Sequence, residues 1–391
     1  MSRTTRAAIG LAVALVSVSA LAVFALWPGG DGAGRGGVQA SLAVSEALGS
    51  GDLTGFARAL APRPFSFPAD LGPHPEFRTE WWYYTGNLET ATGRHFGFQL
   101  TFFRTALAPP EAAAERGSAW SARQLYLAHF ALTDTAGRRF HAWSRLSREA
   151  LGLAGARANP FRVWLEDWSA ESEAAGGLSV WLRAAEGDVA IDLVLASDKP
   201  VALQGDRGLS QKGPEPGNAS YYYSQSRMSA RGTVRAGGES LPVSGLAWMD
   251  REWSTSALGA DLVGWDWLAL QLDDGRDVMV YRLRRRDGTA DAHSAGTLIA
   301  ANGATRPLAP GDLTLDALAH WTSPRSRVRY PSRWRLAIPD AALSLEITPR
   351  LADQELIVGT RYWEGAVLVE GTAAGRPIAG RGHVELVGYG E

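Results

Sequence analysis

From Phe77 onward, apolar and polar positions alternate with a period of two, in runs of strand length separated by turns that contain Gly, Asn or Asp. Clear runs are "HFGFQLTFFR" (95–104), "QLYLAHFALTD" (124–134), "LSVWLRAAEGDVAIDLVLAS" (178–197) and "EGAVLVEGTAAGRPIAGRGHVELVGY" (364–389). Asp274-Gly275 and Asp287-Gly288 carry the chemistry of tight hairpins. No helical period is sustained after residue 65, so the chain is expected to be all-β, as closed barrels or a sandwich.

One run breaks the simple alternation. In "RTEWWYYTGNL" (78–88) four aromatic residues follow a carboxylate without interruption. A strand would place Glu80, Trp82 and Tyr84 on one face and Trp81 and Tyr83 on the other. Both faces therefore call for burial, one in a cavity and one in a seam between domains.

A weak internal repeat supplies the second domain. Pro242-Val243-Ser244-Gly245 precedes Asp250 with the same spacing by which Pro377-Ile378-Ala379-Gly380 precedes Glu385. The aromatic hairpin that begins at Trp81 is echoed by the one at Trp265. Two barrels of one design, over residues 65–255 and 256–391, account for both echoes.

Before them, Arg3 and Arg6 are followed by an uncharged, mostly apolar run from Ala7 to Trp27, the pattern of an export segment. It is either a signal peptide cleaved after Ala20 or a retained anchor, with the bulk of the chain on the extracytoplasmic or periplasmic side of the membrane. Residues 28–64 read as a flexible linker with short helical turns.

Composition narrows the chemistry. The 39 basic residues nearly balance the 41 acidic ones, without long runs of one sign, which argues against a nucleic-acid partner. With no cysteine there are no disulfides or thiolate sites, and the seven histidines show no zinc-site spacing. No metal or other cofactor is expected. The 15 Trp, 10 Tyr and 12 Phe either fill barrel interiors or line a cavity for a hydrophobic small molecule.

Carboxylates occur inside the aromatic strands. Asp250 and Glu252 would share a face with Trp248, opposite Arg251, and Asp266 lies between Trp265 and Trp267. A carboxyl group desolvated by indole rings is held neutral and serves as a general acid; the alternative is an arginine–carboxylate pair closing a barrel end. Asp250, Glu252 and Asp266 are thus the candidate catalytic residues. Arg78, Glu80 and Arg251 are the candidates for structural pairs. Ligand contacts are expected from Trp82, Tyr84, Tyr222, Trp248, Trp265 and Trp267, and from Lys212, one of only two lysines, in the long polar loop 203–227.

The ordered segments "FPADLGPHPEFRTEWWYYTGNL", "GRHFGFQLTFFR", "LQGDRGLSQKG", "ASYYYSQSR", "GLAWMDREWSTS", "GWDWLALQLDDG" and "YWEGAVLVEG" resemble the signature segments of AttH-type, lipocalin-like secreted proteins, a family related to hydroxyneurosporene synthase, the carotenoid 1,2-hydratase. The resemblance runs from about Phe65 to Tyr389 and implies two consecutive calycin-like barrels. It implies two kinds of activity: binding of a lipid or isoprenoid in service of an envelope ABC transporter, or catalysis as a hydrolase or as a hydratase that adds water to an isoprenoid alkene without a cofactor. In the hydratase, Asp250 or Asp266 would be the acid, and Glu252 or a tyrosine of 221–223 would orient the water. The chain departs from the family pattern once, with Asp70-Leu71-Gly72 in place of Asp-His-Gly.

Overall fold

The computed structural model describes residues 53–113, 123–172, 178–255, 258–259 and 261–390. The export segment and most of the linker lie outside the described residues. Residues 53–64 form a turn and an extended stretch, and Ala59 is buried against the first core.

The fold is all-β, with a nearly closed first barrel and a half-barrel second. The first sheet holds β1 (Thr79–Glu89), β2 (His95–Ala106), β3 (Gln124–Asp134), β4 (Arg139–Arg148), β5 (Ala154–Ala158), β6 (Phe161–Leu165), β7 (Trp168–Ser172), β8 (Val180–Glu186), β9 (Val189–Ser197), β10 (Ala202–Leu203), β11 (Leu209–Gln211), β12 (Ala219–Ala236) and β13 (Glu239–Ser254). Its order is β4-β3-β2-β1-β13-β12-β9-β8-β7-β6-β5, with β10 and β11 added to β12.

The second holds β14 (Leu262–Leu272), β15 (Asp277–Arg285), β16 (Ala295–Ile299), β17 (Thr305–Leu308), β18 (Thr314–Thr322), β19 (Arg329–Ile338), β20 (Leu343–Pro349), β21 (Glu355–Ile357), β22 (Arg361–Ala373) and β23 (Arg376–Val387). Its order is β17-β16-β15-β14-β23-β22-β20-β19-β18. The Asp274-Gly275 turn joins β14 to β15, and Gly275 takes the left-handed φ of +85° that only glycine adopts without cost.

Each sheet has its own apolar core, and a third cluster fills the seam between them. Strand β1 serves two of these. Trp82, Tyr84 and Leu88 face the first core, while Tyr83, with Trp81 beside it, belongs to the seam cluster with Tyr222, Trp248, Trp267 and Tyr281. The two faces of the aromatic run thus bury in different places. Contact is close enough that a Cβ on Gly97 in β2 would lie 2.5 Å from that of Ala366 in β22.

Much of the rest of the seam is polar and hydrogen-bonded across the two sheets. Asn87 Nδ2 donates to the Gly382 carbonyl at 3.0 Å, and Thr133 Oγ1 to Gln354 Oε1 at 2.7 Å. Asp277, fully buried, receives Lys199 from the β9–β10 connection and Arg227 from β12, each at 2.6 Å. Gln271 Nε2 donates to the carbonyls of Ser226 (2.8 Å) and Ala247 (2.9 Å). Gln271→Leu would leave two buried carbonyls unpaired, so a loss of about 2 kcal/mol in urea unfolding is expected. A loss below about 0.5 kcal/mol would show that the seam does not depend on this bridge.

Candidate functional site

The site lies in the seam. A cavity of about 130 Å³ is lined by Trp81, Tyr83 and Phe103 from β1 and β2, by Tyr222, Asp250 and Glu252 from β12 and β13, and by Trp265, Trp267, Tyr281, Tyr362 and Glu385 from the second sheet. Lys212, Ser220, Ser254, Leu258, Leu283 and Val387 complete it. Lys212 follows the short strand β11, so segment 203–227 is not a free loop: β10 and β11 tie it to β12, and Lys212 is carried inward.

Alternation along β13 sends Trp248, Asp250 and Glu252 to the seam and Met249, Arg251 and Trp253 into or beneath the first core. Asp250 accepts Ser224 Oγ at 2.5 Å and Trp248 Nε1 at 2.7 Å on one oxygen, and Tyr222 OH at 2.5 Å on the other. Burial outweighs these donors and pushes its carboxyl up to about 6. Glu252 takes the Ser220 hydroxyl and stands 3.2 Å from Lys212 Nζ. Trp267 Nε1 donates to Tyr222 OH at 3.1 Å, linking the two sheets behind Asp250.

Across the cavity, Glu385 on β23 faces Glu364 on β22 in register. Glu385 accepts Trp265 Nε1 at 2.5 Å, and Glu364 accepts the Tyr83 hydroxyl. Their side chains stand on paired positions of neighbouring strands, close enough for each to act on the other's charge. Burial raises both, Glu364 to about 8, and the mutual repulsion of two anions raises Glu385 further. His383 Nε2 lies 2.7 Å from Glu364, but burial lowers this imidazole to about 3, so it brings no positive charge. Tyr362 OH shares a 2.7 Å hydrogen bond with His129, also lowered to about 3 by burial.

Among the described residues, Asp250, Glu364 and Glu385 have no arginine or lysine within ion-pair distance, in contrast to the buried carboxylates elsewhere. Glu80 is held by Arg104 and Arg251, and both of its oxygens accept the His74 N–H at 3.1 Å. Asp266 is held by Arg282, by Arg284 at 3.0 Å and by Tyr389 OH at 2.8 Å. Asp70 is held by Arg63 and lies 3.0 Å from His74 Nε2.

These placements correct several expectations. Asp266 does not line the cavity, because on β14 it points away from its neighbours Trp265 and Trp267 into two arginines. Trp82 and Tyr84 are sealed in the first core; Trp82 Nε1 donates to the Leu71 carbonyl at 2.8 Å, and Arg251 lies 4.0 Å over its ring. The ring walls from β1 are instead Trp81 and Tyr83. Glu252 is the counter-ion of Lys212. Glu80 does pair with Arg251, as expected, and also with Arg104; the Arg78 backbone N–H donates to Thr255 Oγ1 at 3.1 Å. Leu71 is fully buried, so its side chain does not reach the cavity.

Sequence reading missed Glu364 and Glu385, although the repeat that aligned Glu385 with Asp250 held the signal. In the structure Asp250 pairs with Tyr83 and Ser224 on its flanking strands, and Glu385 with Trp267 and Glu364 on the corresponding ones. Equivalent positions of the two halves therefore face one cavity.

The chain matches the AttH-like family over residues 58–389. A crystal structure from Nitrosomonas europaea, described as an AttH, is 36% identical, with a TM-score of 0.76, covering 85% of this chain and 100% of that one. Kievitone hydratase from Nectria haematococca is 17% identical with a TM-score of 0.65, over 86% of this chain and 97% of that one. CghA, solved with Sch210972, is 16% identical with a TM-score of 0.52, over 88% and 98%. At these lower identities the likeness is one of fold. A search of curated proteins found no match. By the extent of the family match and by its likeness to the Nitrosomonas structure, the chain belongs to the AttH-like family.

Proposed function

We propose that this protein is a hydro-lyase that takes one unsaturated end of an isoprenoid-type molecule into the seam cavity and adds water across its double bond. The observation that carries this reading is the set of three buried carboxyl groups left without a cation beside an aromatic-walled cavity. A carrier gains nothing from such groups, which cost stability. Size points the same way: a cavity of about 130 Å³ compares with the roughly 150 Å³ site that holds benzene, far below the roughly 300–1,000 Å³ that encloses a whole ligand. The name of one structural relative, kievitone hydratase, agrees.

The two acid sites divide the work. The proton held by Glu385, the member of the glutamate pair that lines the cavity, passes to one alkene carbon; a C–H bond forms as the π bond breaks, and the other carbon becomes cationic. The faces of Trp81, Tyr83, Trp265 and Trp267 stabilise that cation. Asp250, whose three donors favour its anion, orients a water, which forms the C–O bond and releases its proton to Asp250. Exchange with solvent returns the proton to Glu385. The apolar run 7–27 supports an extracytoplasmic setting at a membrane, where such substrates reside.

The test is incubation of the purified chain with an acyclic isoprenoid alkene, followed by mass spectrometry. The expected product is heavier by one water. Its rate rises as Asp250 ionises near pH 6 and falls in alkaline solution as Glu385 loses its proton. Unchanged alkene recovered across this range, from protein shown to bind it, would defeat the reading.

A further inference from the structure

Lys212 is unlike the other lysine. Lys199 Nζ is engaged in the fold, donating to the Gly275 carbonyl at 2.5 Å and to Asp277 at 2.6 Å. Lys212 Nζ has one carboxylate neighbour, Glu252 at 3.2 Å, and that oxygen already accepts the Ser220 hydroxyl. Its other neighbours are ring faces, Tyr281 at 4.0 Å and Tyr222 at 5.2 Å. Rings attract the charge but do not consume directed N–H donors. An ammonium has three N–H groups. The side chain is 19% exposed, and it lines the cavity.

We infer that Lys212 recognises a neutral oxygen acceptor on the ligand, so that the substrate is an oxygenated isoprenoid, such as a ketone, rather than a hydrocarbon. This rests on the seam cavity being the ligand site, as proposed above. The charge around the cavity selects the neutral acceptor over a carboxylate. Glu252 already balances Lys212, and Asp250 stands on the same wall, so a further anion would meet repulsion from it. The small volume places the oxygen and the reacting alkene within one compact fragment.

The experiment is isothermal titration calorimetry of the full chain at pH 7.5 with three probes of matched length: geranylacetone, the hydrocarbon in which a methylene replaces its carbonyl, and geranylacetic acid, in which a carboxyl group replaces its methyl ketone. The ketone should bind about tenfold tighter than the hydrocarbon, as one charge-assisted hydrogen bond provides, and tighter than the acid. In Lys212→Met the ketone-to-hydrocarbon ratio should fall to about one. Because that variant leaves Glu252 unpaired, the double variant Lys212→Met, Glu252→Gln, which removes both charges, should show the same lost preference. Equal binding of ketone and hydrocarbon, tightest binding of the acid, or a preference that survives both variants would overturn the inference while leaving the hydro-lyase reading standing. Failure of all three probes to bind would overturn both.

Discussion

Glu80→Gln is expected to lower the thermal midpoint by roughly 10 °C, corresponding to about 3–5 kcal/mol, the largest stability effect of any single substitution near β1. Glu80, Arg104 and Arg251 are all fully buried. Arg104 also donates to the carbonyls of His74 (2.9 Å) and Phe77 (2.7 Å), and Arg251 to that of Gly72 (2.5 Å). The glutamine removes one negative charge but leaves two guanidinium groups in the interior, and an uncompensated buried charge is what makes breaking such a network expensive. The two arginines hold the Glu80 carboxyl far below its ordinary value near 4.5, against the opposing pull of desolvation. The stabilisation is therefore present in full above that ordinary value and is lost only as pH falls toward the folded one. Calorimetric melts of the variant and the parent should differ by a constant amount at neutral pH and converge in acid. A shift of less than about 2 °C at pH 7 would show that the network contributes little.

Glu385→Gln is expected to reduce the rate of water addition by about 10²- to 10⁴-fold, the usual worth of a positioned proton donor. Tyr83, Trp265 and the cavity walls remain, so ligand binding should persist. Stability should move in the opposite direction. Burial raises the carboxyls of the glutamate pair, so the folded parent retains a proton that the unfolded chain has released, and its stability falls as pH rises from the ordinary glutamate value near 4.5 through about 8. The variant lacks Glu385's share of this penalty, while Glu364 retains its own. At pH 8 it should be more stable than the parent, by of order 2 kcal/mol, with the gap closing near pH 5. A variant that loses activity and is also less stable at pH 8 would assign Glu385 a structural role.

The contrast between Asp250 and Asp266 shows what was legible. Both lie among tryptophans, and local sequence treats them alike. Their environments are set by the strand paired beside each: Ser224 and Tyr222 of β12, with Trp248, surround one, whereas Arg282 and Arg284 of β15 neutralise the other. The same holds for β1. Period-two alternation correctly separated Trp81 and Tyr83 from Trp82 and Tyr84, but it contains no information on which face meets the closed core and which meets the cavity. Glu385 was reachable from the repeat, since equivalent positions of two similar barrels tend to meet at the same seam. Glu364 was not, because only the β22–β23 register brings it opposite Glu385.

The sequence by itself determined the all-β class, the hairpins at glycine turns and the double burial of "WWYY", because these depend on backbone conformation and side-chain alternation within a few residues. Tertiary structure alone decided which carboxyl groups received a guanidinium or ammonium and which were left with neither beside a cavity. That choice depends on desolvation and on partners brought together by strand pairing and barrel packing across hundreds of residues, as with Tyr83 and Glu364.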